Sequence, residues 1–165
     1  MATKISNTDR YAGTPEQLLD MMRTEEYWAA KYEALGADEF TLLEFRRDGD
    51  ELEVRSRRVV PADLPSVAKK VIGDTNTVTQ SEIWRPDGDA YACDFEVEIA
   101  NVPGGMRGWM RIEPVGEAES DWILEYSIKV GIPLVGGKLE GVMKDETKAN
   151  LVKEFDFNSQ WLAGA

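Results

Sequence analysis

Apolar residues recur along this chain at two different spacings, and each change of spacing marks an element. "TKISNTDRYAG" alternates weakly and predicts a first strand. In "TPEQLLDMMRTEEYWAAKYEALG" the spacing becomes helical. Thr14 is placed to cap a helix, Pro15 suits its first position, and Gln17 completes a capping box. Thr24, ahead of Glu25 and Glu26, predicts a second cap. Trp28, Tyr32 and Leu35 then share one helical face, and Gly36 supplies a stop. Two short helices therefore follow the first strand.

After Gly36 the period falls to two. "DEFTLLEFRR", the turn "DGD" and "ELEVRSRRVV" predict a hairpin. "PADLPSVAKKVIG" predicts a prolyl bend and a helical turn or two, with Ser66 as cap and Gly73 as stop. "TNTVTQSEIWR", "PDGD" and "AYACDFEVEIANV" predict a second hairpin. Tyr91, Cys93, Phe95, Val97 and Ile99 alternate there with Ala92, Asp94, Glu96 and Glu98, which gives the sheet one dry and one wet face. "MRGWMRIEPV" puts Met106, Met110 and Ile112 on one face and Arg107, Trp109, Arg111 and Glu113 on the other. "DWILEYSIKV" aligns Trp122, Leu124, Tyr126, Ile128 and Val130. In the last segment Val135, Leu139, Val142, Met143, Leu151, Phe155 and Leu162 return to helical spacing. A helix from Gly137 to Trp161 would span roughly 36 Å.

The predicted order is strand, two short helices, six antiparallel strands, long helix. A sheet with one apolar face and a helix with one apolar stripe bury each other most economically, and the short helices can close one end. This order resembles the START-like (SRPBCC, helix-grip) superfamily over essentially the whole chain. "VGIPLVGGKLEG", the tryptophan after "TQSE" and the "NVPGGMRG" turn are more narrowly similar to a bacterial START-like family of unassigned function. The resemblance implies an α+β helix-grip fold in which a curved sheet of about seven strands wraps the last helix around a deep apolar cavity. It implies a lipid, sterol, polyketide-like or other hydrophobic ligand, and in some members cyclisation or dehydration. No shared catalytic motif exists to carry over, and fold alone does not give function.

Composition narrows the choices. A length of 165 residues suits a single domain over 1–165. The net charge of −12 argues against nucleic acid or an anionic membrane as partner, since both need a basic face. Arg46, Arg47, Arg55, Arg57 and Arg58 cluster, but acids surround them. No stretch reaches membrane-spanning length. One cysteine, Cys93, permits no intrachain disulfide and suits a reducing cytoplasm. The absence of histidine removes Ser-His-Asp and Cys-His systems and any histidine-bearing metal site. Acid pairs such as Glu25/Glu26 and Asp145/Glu146 read as solvated faces, so no metal and no cofactor is expected.

The glycine-rich segment raises the question of a phosphate loop. Gly131 and Gly136 have the four-residue gap, but Gly137 stands where lysine should, and Leu139 follows Lys138 in place of a hydroxyl residue. Pro133 removes an amide donor, and the preceding strand is antiparallel. The segment reads as a tight strand-to-helix corner, with Gly136, Gly137 and Gly141 allowing close packing.

The candidate pocket lining is Trp84, Tyr91, Phe95, Met106, Met110, Trp122, Tyr126, Leu139 and Met143, which would serve equally as ordinary core. Period two from Trp84 and Val78 sends Gln80 and Glu82 inward, and Arg58 shares parity with Leu52 and Val54. The plainer reading puts Arg58 and Glu82 at strand ends in solvent. The alternative makes them polar anchors in an apolar pocket. Glu146 and Asn150 divide between edge and pocket in the same way. Cys93 reads as a small buried hydrophobe.

The leading expectation is a binding domain for a hydrophobic small molecule. The alternatives are a cyclase or dehydratase-like enzyme using Arg58, Glu82 and Tyr126, or a protein-interaction module presenting Trp109.

Overall fold

The computed structural model describes residues 2–61, 66, 69, 70 and 73–164. Most of the "PADLPSVAKKVIG" segment lies outside them. The elements run β1 (Thr3–Tyr11), α1 (Pro15–Met22), α2 (Glu25–Ala34), β2 (Glu39–Asp48), β3 (Glu51–Pro61), β4 (Thr75–Asp87), β5 (Ala90–Ile99), β6 (Gly104–Val115), β7 (Glu119–Val130) and α3 (Gly136–Gly164). The seven strands form one antiparallel sheet in the order β1-β7-β6-β5-β4-β3-β2. The sheet is curved and the architecture is the α+β helix grip. Because β1 pairs with β7, the strand just before α3 is second in the sheet and flanked on both sides.

Local chemistry explains the helix starts. The Thr14 hydroxyl accepts from the Gln17 amide, and the Gln17 side chain accepts from the Thr14 amide, so the capping box is complete. Thr24 stands at the start of α2 but makes no capping bond. Its hydroxyl donates back to the Met21 carbonyl at 3.2 Å, which ties α2 to α1.

The registers stack inward-facing residues into rows across the sheet. One row runs Leu52–Trp84–Cys93–Met110–Leu124, and the next Val54–Glu82–Phe95–Gly108–Tyr126–Ile5. A β-bulge between Leu42 and Glu44 was not foreseen. It leaves Leu43 37% exposed and returns Phe45 to the inner side, opposite Val54.

α3 is fastened at both ends. Near its start the Glu140 carboxylate accepts from the Val130 amide at 3.1 Å and the Thr3 hydroxyl at 2.9 Å. Near its end the buried Asn158 accepts from the Tyr27 hydroxyl at 2.6 Å and donates to Tyr11 at 3.2 Å. Tyr27, Phe157 and Trp161 pack as a tilted aromatic cluster beside it. Of the helical stripe read from sequence only Leu139 is fully buried; Val142, Met143, Leu151 and Phe155 are half-buried. The middle of α3 faces a space, not a filled core.

The three glycines at the helix start do not share one role. A Cβ on Gly136 would stand 2.4 Å from the Val130 carbonyl oxygen, so that position requires glycine. A Cβ on Gly137 or Gly141 would meet nothing within 4 Å, so close packing explains neither. Gly136→Ala should therefore destabilise the protein. Gly141→Ala should stabilise it by up to about 1 kcal/mol through helix propensity. Urea unfolding of the two variants checks this, and equal shifts would refute the distinction.

Candidate functional site

Between the inner face of the sheet and the middle of α3 lies a cavity of about 570 Å³. Its apolar wall comes from β5, β6, β7 and the first half of α3. Phe95, Met106, Met110, Trp122, Tyr126, Leu139 and Met143 all line it. Gly108 sits on this wall between Phe95 and Tyr126 in register. A Cβ there would strike the Glu125 carbonyl oxygen and the Tyr126 backbone, and the two rings meet edge to face at 5.4 Å. The bare glycine thus lets two aromatic side chains close over it. The exposed Gly36, Pro61, Glu146, Asn150 and Lys153 mark the cavity mouth among the described residues.

Trp84 and Tyr91 are placed elsewhere. Trp84 is wholly buried, edge-on to Trp122 at 5.5 Å, with its indole nitrogen donating to Glu82. Its larger ring fills the closed end of the sheet and leaves no face for the cavity. Tyr91 lies under α1, where its hydroxyl bonds to Glu16, which also pairs with Arg23 at 2.6 Å. That cluster fastens α1 to β5.

The polar wall is built by β3, β4, α2 and the second half of α3. Glu82 is 3% exposed and Arg58 half-buried, and both line the cavity. The reading of these residues as solvent-facing strand ends is overturned, because the sheet is long enough for α2 and α3 to cover that row. The two do not meet directly. Arg58 Nη1 donates to Gln80 Oε1 at 3.2 Å, and Gln80 Nε2 donates to Glu82 Oε2 at 3.0 Å. The Arg58 guanidinium lies 4.4 Å from the Tyr32 ring centroid.

Lys31 was missed. It is 4% exposed, pairs with Glu154 of α3 at 2.5 Å, and lies 5.2 Å from the ring centroids of Trp28 and Tyr32. Burial works against its charge and is the largest single influence, but Glu154, Tyr27, Tyr32 and Glu82 together outweigh it and hold the ammonium well above its usual range. The signal was present, since Lys31 interrupts the face carrying Tyr27, Trp28, Tyr32 and Leu35.

Burial pushes the Glu82 carboxyl up, and Lys31 opposes this only in part. Burial likewise pushes the Tyr126 hydroxyl up to about 12. Among the described residues, two buried polar atoms on the cavity wall, Asn76 Oδ1 and the Tyr126 hydroxyl, have no well-formed hydrogen bond. Cys93 is buried and its thiol is held well above its usual range by burial, which suits a packing role. Trp109 is 40% exposed on the outer face. Among the described residues no cluster of carboxylates or cysteine could hold a metal, and no helix is long and apolar enough to cross a membrane.

The raised Glu82 value carries a sign. A carboxyl favoured in its neutral form by the fold contributes stability that is present below the unfolded value and lost as pH rises through the folded one. Glu82→Gln removes that loss. The melting temperature of the variant relative to the parent should therefore climb as pH is raised over a range that begins near the ordinary glutamate value of about 4.3. A difference that stays flat across this range would refute the assignment.

Comparison with known proteins agrees with the geometry. An uncharacterized protein of Mycobacterium tuberculosis is 26% identical over 160 residues, covering 92% of each chain, and one from Mycobacterium bovis matches equally. Among solved structures, the protein TTHA0849 of Thermus thermophilus superposes with a TM-score of 0.69 at 15% identity, covering 98% of each chain. A START superfamily protein from Mycobacterium smegmatis gives 0.62 at 14% identity, covering 96% of this chain and 98% of that one. The Zhui aromatase/cyclase of Streptomyces sp. R1128 gives 0.60 at 13%, covering 99% and 93%. These likenesses establish the START-like fold and no activity. Residues 6–162 match the model of one family, and the chain belongs to it: the family described as "Protein of unknown function (DUF2505)".

Proposed function

We propose that this protein binds a hydrophobic or amphipathic small molecule, of lipid, sterol or polyketide-like class, between the sheet and α3. One observation carries this reading: the cavity of about 570 Å³ has one wall of aromatic, methionine and aliphatic side chains. Ligand pockets of roughly 300–1,000 Å³ combine such a lining with a few placed polar groups. Phe95 and Tyr126 offer rigid aromatic faces, while Met106, Met110 and Met143 adapt to irregular shapes.

A second reading, an acid-base enzyme acting on such a ligand, is favoured by the buried Glu82 carboxyl on the cavity wall. The comparison structure named as an aromatase/cyclase supports it by analogy of fold only.

The binding reading predicts a mass increment of a bound small molecule in native mass spectrometry of protein purified from its source. It also predicts a thermal shift with at least one member of a lipid, sterol and polyketide panel. Val97→Trp, which places a ring in the cavity, should abolish both while the variant stays folded by circular dichroism. Empty protein with no shift across the panel would sink the proposal. For the enzymatic reading, a panel compound should be recovered chemically altered from the parent and unaltered from Glu82→Gln. Unaltered recovery from both rejects it.

A further inference from the structure

We infer that the ligand carries an acidic head, a carboxylate, and that Arg58 receives it. This rests on the binding proposal above and narrows it to a ligand class.

Glu146 and Lys153 stand at the exposed mouth of the cavity, and the other charged residues on its wall are Asp9, Lys31, Arg58, Glu82 and Glu154. Lys31 and Glu154 neutralise each other at 2.5 Å. Glu82 accepts bonds from Trp84 and Gln80, and Asp9 accepts one from Asn7 at 2.9 Å. Arg58 differs from all of these. It has no carboxylate within 4 Å among the described residues, and one of its five N–H donors is spent on Gln80. A half-buried guanidinium without a counter-charge is costly to keep, and its planar fork matches a carboxylate. Stacking on Tyr32 holds that plane in place before any ligand arrives.

The neighbours complete a receptor. Arg58 pairs with Val78 across β3 and β4, so Asn76 and Gln80 flank it on the same inner face. Asn76 Oδ1 is buried without a partner among the described residues. A half-turn of that amide offers N–H donors in its place, on the same inner face as Arg58. On the far side of β4 the register continues into Val97 and Ile99 and then Met106. An acid whose head rests on Arg58 and Asn76 thus lays its apolar body along Val97 and Met106 toward Tyr126. A single guanidinium suits a singly charged carboxylate. A doubly charged phosphate would meet the Glu146 carboxylate at the mouth and a chain of net charge −12.

A matched pair of probes tests this on the full chain at neutral pH. Dodecanoate and dodecan-1-ol compete for the cavity against the uncharged fluorophore N-phenyl-1-naphthylamine. Dodecanoate should bind the parent at least about ten-fold more tightly than the alcohol, the worth of a charge-assisted bidentate contact. In Arg58→Gln that advantage should fall to within about two-fold. Asn76→Asp places a carboxylate beside an intact Arg58, so it should remove the preference for acid even if Arg58→Gln does not fold. Equal binding of acid and alcohol by the parent would overturn the head-group assignment and leave the cavity proposal standing. So would an acid preference that survives either substitution. Failure of the fluorophore and both probes to bind overturns the cavity proposal itself.

Discussion

The Glu140 carboxylate takes hydrogen bonds from the Val130 amide and the Thr3 hydroxyl, and so fixes the start of α3 to β7 and β1. The other end is held by Asn158, between Tyr27 and Tyr11, and by Lys31 against Glu154. A helix of 29 residues held at two points over a curved sheet cannot touch it along its whole length. The cavity follows from that geometry. A dry void of this size would cost on the order of 14 kcal/mol at about 24 cal/mol per Å³, as much as a whole domain's stability. Water or a ligand must therefore fill it, and the apolar wall offers water few partners.

Polar residues inside the grip cost more than apolar replacements of the same shape. A buried ion pair such as Lys31–Glu154 is seldom a net source of stability, because desolvation offsets the attraction. Its geometry does something an apolar contact would not. It ties α2 to α3 through a directional contact, with the ammonium enclosed by aromatic rings. The same desolvation inclines Glu82 toward its neutral form.

The strands and the long helix were legible because period two and period 3.6 are written directly in Tyr91–Ile99, Trp122–Val130 and the α3 stripe. The bulge at Leu43 was not, because it is the second of two adjacent leucines and either one satisfies the apolar pattern. Arg58 and Glu82 were assigned the right parity but left between solvent and pocket, because parity along a strand does not say how far the covering helices extend. Lys31 was hidden by the opposite error. A lysine on a helix usually reaches water, and only its place among Tyr27, Trp28 and Tyr32 signalled otherwise. Trp84 and Tyr91 alternate with the cavity residues in sequence, yet sit at the end of the sheet where α1 and Trp122 fill the space.

Gly136 and Glu140 give the glycine-rich corner its physical sense. They stand one helical turn apart, and both meet Val130: the glycine lies against its carbonyl, and the carboxylate accepts from its amide. The last residue of β7 is therefore clasped on both of its backbone groups by successive turns of α3. A larger residue at 136 would push the helix off the strand, and loss of the acid at 140 would leave a buried amide unpaired. The same arrangement explains why a loop so rich in glycine is unsuited to phosphate. The Glu140 carboxylate is held one turn into α3, against the Val130 amide, and would repel an anion approaching the helix start. What resembles a nucleotide cradle in the sequence is the fastening that sets where the helix begins, and hence where the cavity lies.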